Sequence, residues 1–284
     1  MGDRQPLSAE CPLCGEPAVQ SRASIPGRVR CECGMVYRPT AQPALTEGQF
    51  WDRHDYTDRA WMERRYGPRR RRGHRALVDR VGKQVARGRW LDIGCGPGDL
   101  LKEAGGAGWQ TAGVDLSPRA VALARDVGLD VTCGRFPEDA PDGAFDVISI
   151  VYTLEYFEDP KPVLIECGKR LLPGGALVLQ LKNFAFWRWA ERFSRTQRGI
   201  WCPQDIRSYS PKTVTTLLHL TGFASVRALP AELPDRRLPN LGFAVLAALG
   251  APPLSPSITV IAQTAPSASN VCRRTSPSHK ETTS

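Results

Sequence analysis

Two rhythms of apolar and polar positions divide the chain. From Trp90 to about Gln263, short apolar runs of strand character alternate with stretches whose apolar positions recur at helical spacing. Strands are predicted at Trp90–Ile93, Thr111–Val114, Val131–Thr132, Phe145–Val151 and Ala176–Leu181, with two more near Ala224–Leu229 and Ser257–Gln263. Helices are predicted between them, over Asp99–Ala107, Ser117–Val127, Pro162–Leu172 and Pro211–Thr221. Ser117-Pro118 supplies an N-cap and a first-turn proline, while Pro173-Gly174-Gly175 and Gly222 supply stop signals. Strands in alternation with helices imply an α/β fold with a doubly wound, mostly parallel sheet. Outside this region the rhythm is lost. Residues 1–40 hold paired cysteines, residues 41–89 are aromatic and basic with helical character, and residues 264–284 are rich in Ser, Thr and Pro and are expected to be disordered.

The most informative stretch is Leu91-Asp92-Ile93-Gly94-Cys95-Gly96-Pro97-Gly98-Asp99, where a buried strand enters a glycine-rich turn that opens a helix. Glycines there allow a tight turn and let a ligand approach the backbone without Cβ interference. Asp99 stands where a dinucleotide fingerprint has its third small residue, and Asp92 would repel a pyrophosphate but could organise a cationic amino acid. Asp115 ends the next strand, where a carboxylate can accept both hydroxyls of a ribose. A nucleoside with a ribose, a positive centre and no phosphate fits these features, and S-adenosylmethionine (SAM) is such a molecule.

Residues 90–181 resemble the class I SAM-dependent methyltransferases. The glycine motif, Asp115, Phe145-Asp146-Val147-Ile148 and Leu172-Pro173-Gly174-Gly175 fall in that family's order and spacing. The resemblance implies a Rossmann-like, seven-stranded sheet with its last strand antiparallel. It implies that Gly94, Cys95, Gly96 and Gly98 line the methionine part, with Asp92 beside it, and that Asp115 holds the ribose. Leu116 and Phe136 would flank the adenine, and Val151 and Tyr152 would border the sulfonium. Gly134-Arg135-Phe136 has Arg where many relatives have an adenine-binding Asp. Tyr152-Thr153-Leu154-Glu155-Tyr156 replaces both histidines of a frequent His-x-Leu-Glu-His, so no general base carries over and the catalytic residues are left open.

Cys11-Pro12-Leu13-Cys14-Gly15 and Cys31-Glu32-Cys33-Gly34 form two knuckles, each followed by glycine. Four thiolates suit a tetrahedral zinc site, and four protein ligands leave no open position, so Cys11, Cys14, Cys31 and Cys33 would hold zinc structurally. Free or redox-active thiols are the alternative. The segment is similar to the zinc-ribbon leaders of bacterial methyltransferases that act on small or glycosidic substrates.

Charge bears on the acceptor. The net charge is +9, yet residues 59–89 alone carry eleven Arg and one Lys against Glu63 and Asp79. Residues 90–229 carry fifteen basic and sixteen acidic side chains, so the domain with the glycine loop is nearly neutral. An Arg run beside Trp61 and Tyr66 could grip RNA phosphates, but a solvated helix face explains it too. A small-molecule or sugar-like acceptor is therefore expected ahead of RNA, with a non-catalytic SAM-binding regulator as a third reading. Aromatics at Phe184, Phe186, Trp187, Trp189 and Phe193 suggest a lid over residues 184–209, or packing on the core. Asp205 and Tyr209 are weak candidates for catalysis. His54 and His74 lie in the pre-core segment and could reach the acceptor, though an exposed or capping role is expected for each. His219 is expected to be structural. The longest apolar run, Leu241 to Leu254, has fourteen residues, against roughly 20 for a membrane span. No signal-peptide core is seen, so a cytoplasmic location is expected.

Overall fold

The computed structural model describes residues 10–16, 21–22, 27–39, 47–52, 57–190, 205–230, 255 and 257–264. Three two-residue strands come first: β1 (Ser21–Arg22), β2 (Val29–Arg30) and β3 (Val36–Tyr37). A short helix α1 (Gly48–Trp51) and the long helix α2 (Arg59–Gly82) lead into the α/β region. There β4 (Arg89–Ile93), α3 (Asp99–Gly106), β5 (Gln110–Asp115), α4 (Pro118–Arg125), β6 (Val131–Cys133) and β7 (Phe145–Val151) follow in turn. A 3-10 turn (Leu154–Tyr156) precedes α5 (Pro160–Arg170) and β8 (Leu171–Lys182). Next come α6 (Phe184–Ala190), β9 (Arg207–Ser208), α7 (Pro211–Leu220), β10 (Phe223–Pro230) and β11 (Ser257–Thr264).

The main sheet has seven strands in the order β10-β11-β8-β7-β4-β5-β6. β4, β5, β6, β7 and β8 run parallel, and β11 is antiparallel to both of its neighbours, as the family resemblance implies. Chain order reverses between β4 and β7, and open α/β sheets bind ligands beyond the strands' carboxyl ends at such a switch point.

Period-two alternation divides the core between the faces of the sheet. On one face Trp90, Val147 and Val178 pack with Leu77, Val78 and Val81 of α2 and Leu100 and Ala104 of α3. On the other, Leu91, Ile148 and Leu177 join Leu164, Val214 and Leu217. That second cluster also contains Cys11, Leu13, Cys31, Met35 and Tyr37, so the cysteine segment shares its core with the sheet.

Most boundaries shift by a single residue, and the larger departures from the expected ones fall at three places. α5 starts at Pro160, because the Asp159 carboxylate caps it by accepting from the Lys161 N–H at 3.1 Å. α4 ends at Arg125, since the Gly128 N–H turns back to the Arg125 carbonyl at 2.8 Å. β8 starts at Leu171, which pairs with Phe145; a register irregularity then absorbs Pro173-Gly174-Gly175, with Gly174 at φ +84, before Ala176 pairs with Val147. β9 is unanticipated. It completes a second, four-stranded sheet in the order β1-β2-β3-β9, pairing Val36 with Ser208 and Tyr37 with Arg207. Among the described residues no helix is long and apolar enough to cross a membrane. His54, His279, residues 191–204 of the expected lid and the tail beyond residue 264 lie outside the described residues.

Candidate cofactor site

The carboxyl ends of β4, β5 and β7 bring the predicted residues together. The turn after β4 runs through Gly94, Gly96 and Gly98 at φ +71, +55 and +82, a left-handed conformation that favours glycine. A Cβ on Gly94 would also overlap the Thr153 side chain. The loop is fixed to β5, since the Gly94 N–H donates to the Val114 carbonyl at 2.8 Å.

Asp115 closes the opposite side of this loop. Its Oδ2 accepts from the Gly96 N–H at 2.7 Å and its Oδ1 from the Ser117 N–H at 2.8 Å. Each oxygen keeps a further lone pair, so the carboxylate is held in orientation and can still accept two more hydrogen bonds. Burial raises its pKa, against the lowering effect of the two N–H groups. Leu116 follows beside Trp51 and Ile206 in a small apolar cluster. Trp51 also lies 4.8 Å from the Tyr156 ring, centroid to centroid. Asp52, just past α1, accepts from the Ser117 hydroxyl at 2.5 Å and the Arg119 N–H at 3.0 Å, which ties α1 over this end of the sheet.

Asp92 lies on the α2/α3 face and is 2% exposed. Its Oδ1 accepts from the Ser149 hydroxyl at 2.5 Å, and Ser149 in turn accepts from the Trp90 indole N–H at 2.8 Å. Burial pushes the Asp92 carboxyl up to about 7, with the Asp115 charge adding to the rise and Ser149 and Arg70 opposing it. Arg70 comes from α2 and pairs with Asp99 at the start of α3, so a guanidinium stands beside the same loop. A buried acid that is costly to ionise alone, next to an accessible cation, can receive a zwitterionic amino acid.

Cys95 is buried, and desolvation holds its thiol well above the ordinary range, which marks it as a packed turn residue and not a nucleophile. Val151 and Tyr152 end β7, and Tyr152 has φ +52, a conformation that costs free energy outside glycine and tends to occur at functional sites. Its N–H bonds the Gln180 carbonyl at 2.8 Å and its hydroxyl meets Ser257 at 3.0 Å. Phe136 is 8% exposed, with the Arg170 guanidinium 5.3 Å above its ring. It packs in the core cluster with Ala140 and Phe145, so sheet packing already occupies much of its surface.

The expected exposed or capping role of His74 is corrected. α2 lies along α3, which turns His74 inward to 9% exposure beside Arg70 and Asp99, and burial followed by the Arg70 charge lowers its pKa to about 4. His219 bonds the Phe223 carbonyl through Nδ1 at 2.9 Å, at the end of α7. Asp205 is 3% exposed and receives Lys182 Nζ at 2.8 and 2.9 Å. Tyr209 is 1% exposed, and burial pushes its hydroxyl above the usual range. Glu155 links these groups: its Oε1 accepts from the Lys182 N–H at 3.0 Å and its carbonyl from the Ile206 N–H at 3.0 Å. Burial and then Asp205 raise Glu155 to about 7, while Lys182 opposes them.

The sequence reading missed Arg70, Ser149, Trp51 and Asp52. Each reaches the site from another element, and nothing local in the sequence ties it to the glycine loop.

In the N-terminal segment the Sγ atoms of Cys11, Cys14, Cys31 and Cys33 all lie within 4.8 Å of one another. Cys11 and Cys33 are 3.6 Å apart, and Cys14 and Cys31 are 3.4 Å apart. A tetrahedral Zn²⁺ with ordinary Zn–S bonds needs edges of about 3.8 Å, so the donor set fits that ion. Burial raises Cys11 and Cys33. At Cys31, hydrogen bonds from the Cys33 backbone and the other thiols outweigh burial and lower the pKa.

With this geometry in hand, comparison with known proteins gives a consistent answer. A family model described as a methyltransferase domain matches residues 62–228. The ubiquinone biosynthesis O-methyltransferase of Thiobacillus denitrificans is 32% identical over 111 residues, which are 36% of this chain and 46% of that protein. The enzyme of the same name from Xanthomonas oryzae is 34% identical over 116 residues, 38% and 46% of the two chains. The chain thus spans just under half the length of these curated relatives. Among solved structures, a SAM-dependent methyltransferase from Thermotoga maritima, described as a possible histamine N-methyltransferase, superposes with a TM-score of 0.53. It shares 18% identity, with 75% of this chain and 99% of that one covered, so the likeness is one of fold. The family model covers more than half of the sequence and the sheet order agrees with the resemblance: the chain belongs to the methyltransferase-domain family.

Proposed function

We propose that the protein is a SAM-dependent methyltransferase that acts on a small-molecule acceptor and carries a structural zinc ion. The observation behind this reading is the Asp115 carboxylate, held by the Gly96 and Ser117 N–H groups across a left-handed glycine turn at the sheet's switch point. Asp115 would take the ribose hydroxyls. Gly94, Cys95, Gly96 and Gly98 would let the methionine part approach, with Asp92 facing its ammonium and Arg70 near its carboxylate. Leu116 and Phe136 would border the adenine, and Val151 and Tyr152 the sulfonium.

Bound cofactor supplies a methyl group on a positively charged sulfur. In-line displacement from such a centre needs positioning and exclusion of water above all. The left-handed Tyr152 backbone fixes the end of β7, and the Glu155, Lys182 and Asp205 contacts fix β9 across the same edge. Cys11, Cys14, Cys31 and Cys33 would hold zinc with no open coordination position, leaving it no part in the transfer.

A small-molecule acceptor agrees with the names of the relatives. It also agrees with the basic helix, where Arg70, Arg71 and Arg75 are drawn to Asp99, Glu63 and Glu103. The test uses the full chain, SAM labelled in its methyl group, and cell extract split into RNA and small-molecule fractions. Label is expected in the small-molecule fraction, and Asp115→Ala is expected to weaken cofactor binding by about 100-fold through two lost charge-assisted hydrogen bonds. Label in nuclease-sensitive RNA would move the Arg run to the substrate site. Cofactor binding with no transfer to any fraction would favour a regulatory protein.

A further inference from the structure

α1 precedes the methyltransferase domain in sequence and sits on the loop that follows β5. Asp52, the residue after α1, accepts through Oδ1 from the Ser117 hydroxyl at 2.5 Å and from the Arg119 N–H at 3.0 Å. Trp51 is buried with Ile206, and Leu116 and Tyr156 pack against the pair. Gly48 lets the two backbones meet, because a Cβ there would overlap the Leu116 carbonyl oxygen and press on Pro118. The oxygen belongs to the backbone, so no side-chain rotation relieves that overlap.

These contacts converge on Asp115 through Ser117. The Ser117 hydroxyl donates to Asp52, its oxygen accepts from the Ala120 N–H at 3.0 Å, and its own N–H donates to Asp115 Oδ1 at 2.8 Å. Ser117 is fully buried, so its hydroxyl proton is committed to Asp52 while its backbone is committed to Asp115. The Arg119 N–H is one of the first-turn groups of α4 that lack an intrahelical acceptor, and a carboxylate is favoured at that end of a helix. Asp52 also acts on Asp115 through its charge, which adds to the rise that burial causes. The other titratable groups that face Asp115 are Asp92 of β4, Cys95 of the glycine turn and Cys133 at the end of β6.

We propose that Asp52 is a positioning residue for the ribose subsite: α1 holds Ser117, Ser117 holds Asp115, and the adenosine half of the cofactor binds fully only when this chain of contacts is closed. The proposal rests on the reading of Asp115 as the group that takes the ribose hydroxyls. Asp52 acts through Ser117, which makes part of the ribose subsite depend on a helix from outside the domain.

The test is calorimetric titration of 5′-methylthioadenosine, which has the ribose and adenine but no amino-acid end, into the full-length chain and its variants. Asp52→Ala should weaken binding by about tenfold, the scale of one hydrogen bond to a charged group. Gly48→Ala keeps the carboxylate but forces α1 away from Leu116, and should weaken binding by a similar factor. Asp52→Asn keeps an oxygen that accepts from Ser117 and Arg119, so it should stay within about threefold of the wild type. Its pH profile separates positioning from packing. Ribose hydroxyls are accepted best by the ionised Asp115, and loss of the Asp52 charge lowers the Asp115 pKa. The fall in affinity from about pH 8 to about pH 5 should therefore be smaller in Asp52→Asn than in the wild type. Thermal melts confirm that the variants fold. Both alanine variants binding as the wild type does, or an Asp52→Asn profile that superposes on the wild-type one, would overturn the positioning role and leave the cofactor site standing. A wild-type chain that binds neither methylthioadenosine nor S-adenosylhomocysteine would overturn the cofactor reading, and the role of Asp52 with it.

Discussion

Asp92 offers the sharpest test of the cofactor site, because its chemistry is set by burial. The carboxyl is raised to about 7, so the empty protein holds a proton there that a free carboxylic acid would have lost. An incoming α-ammonium needs the ionised form, so cofactor binding should expel this proton. With one such group, affinity scales with the ionised fraction and should rise about eightfold from pH 6 to pH 7.5, or roughly 1.3 kcal/mol. The groups facing Asp92 are Ser149 of β7, Asp115 of β5 and Arg70 of α2, itself paired with Asp99. Asp115 is also raised by burial, in the same direction, so a variant of Asp92 alone is the control. The assay is calorimetric titration of S-adenosylhomocysteine, which carries the same amino-acid end and is stable across this range. Asp92→Asn should bind more weakly at pH 7.5 and lose most of the pH dependence. Stability supplies an independent sign. A raised folded-state pKa means the native state binds the proton more tightly than the unfolded chain. Between the ordinary carboxylate value of about 4 and the raised value of about 7, this group's contribution to stability falls as pH rises, by about 4 kcal/mol at most. The melting temperature of the empty Asp92→Asn protein should therefore depend less on pH across that window. Affinity that is flat from pH 6 to pH 7.5, or a slope that Asp92→Asn leaves intact, would refute the placement of the amino group.

Three further outcomes are expected. Gly94→Ala places a Cβ at φ +71 against the Thr153 side chain; backbone strain of about 1–2 kcal/mol, plus the displaced loop, should lower cofactor affinity at least tenfold while circular dichroism stays native. Elemental analysis should find one zinc per chain, and Cys11→Ser and Cys31→Ser should lose it and melt about 5 °C or more lower; unchanged metal content in both variants would remove the zinc assignment. Arg28 donates to the Ser208 hydroxyl at 2.5 Å and to the Asp205 carbonyl at 2.8 Å while buried, so Arg28→Ala should cost about 2–4 kcal/mol in chemical denaturation, and a loss under 1 kcal/mol would show that the seam contributes little.

What the sequence disclosed about the fold is what short-range chemistry controls. The short apolar runs at Trp90–Ile93 and Phe145–Val151 gave away both strands, because each is buried on both faces, against different helices. The glycine turn and Asp115 were legible for a related reason: left-handed backbone leaves a glycine mark, and a strand-end acid lies at a fixed spacing from it. Contacts made by residues distant in the chain left no such mark. Ser149 lies 57 positions from Asp92, and His74 becomes buried only because α2 runs along α3. β9 is the clearest case. A two-residue strand has no periodicity to detect, and its partner β3 lies some 170 residues earlier.

That hidden strand changes how the cysteine segment should be understood. Read from spacing, the knuckles are an appendage with its own metal. In the fold, β3 pairs with β9, and the residue before β9 donates to Glu155 beyond the end of β7. Asp205 in turn holds Lys182 at the end of β8. Arg28 and Arg207 fill the seam, the first bonded to Ser208 and Asp205, the second to the Arg38 and Glu158 carbonyls and over the Tyr37 ring. Cys11 and Cys31 then pack in the same cluster as Leu177 and Leu181. Four clustered thiols, of which Cys11 and Cys31 are buried, are a poor foundation for such a seam while they hold their protons, and a cation that replaces those protons would strengthen it. On the zinc proposal, removal of the ion should therefore be felt at β9 and the carboxyl edge before it is felt at Asp115, whose own hydrogen bonds run to Gly96 and Ser117 across the sheet's switch point.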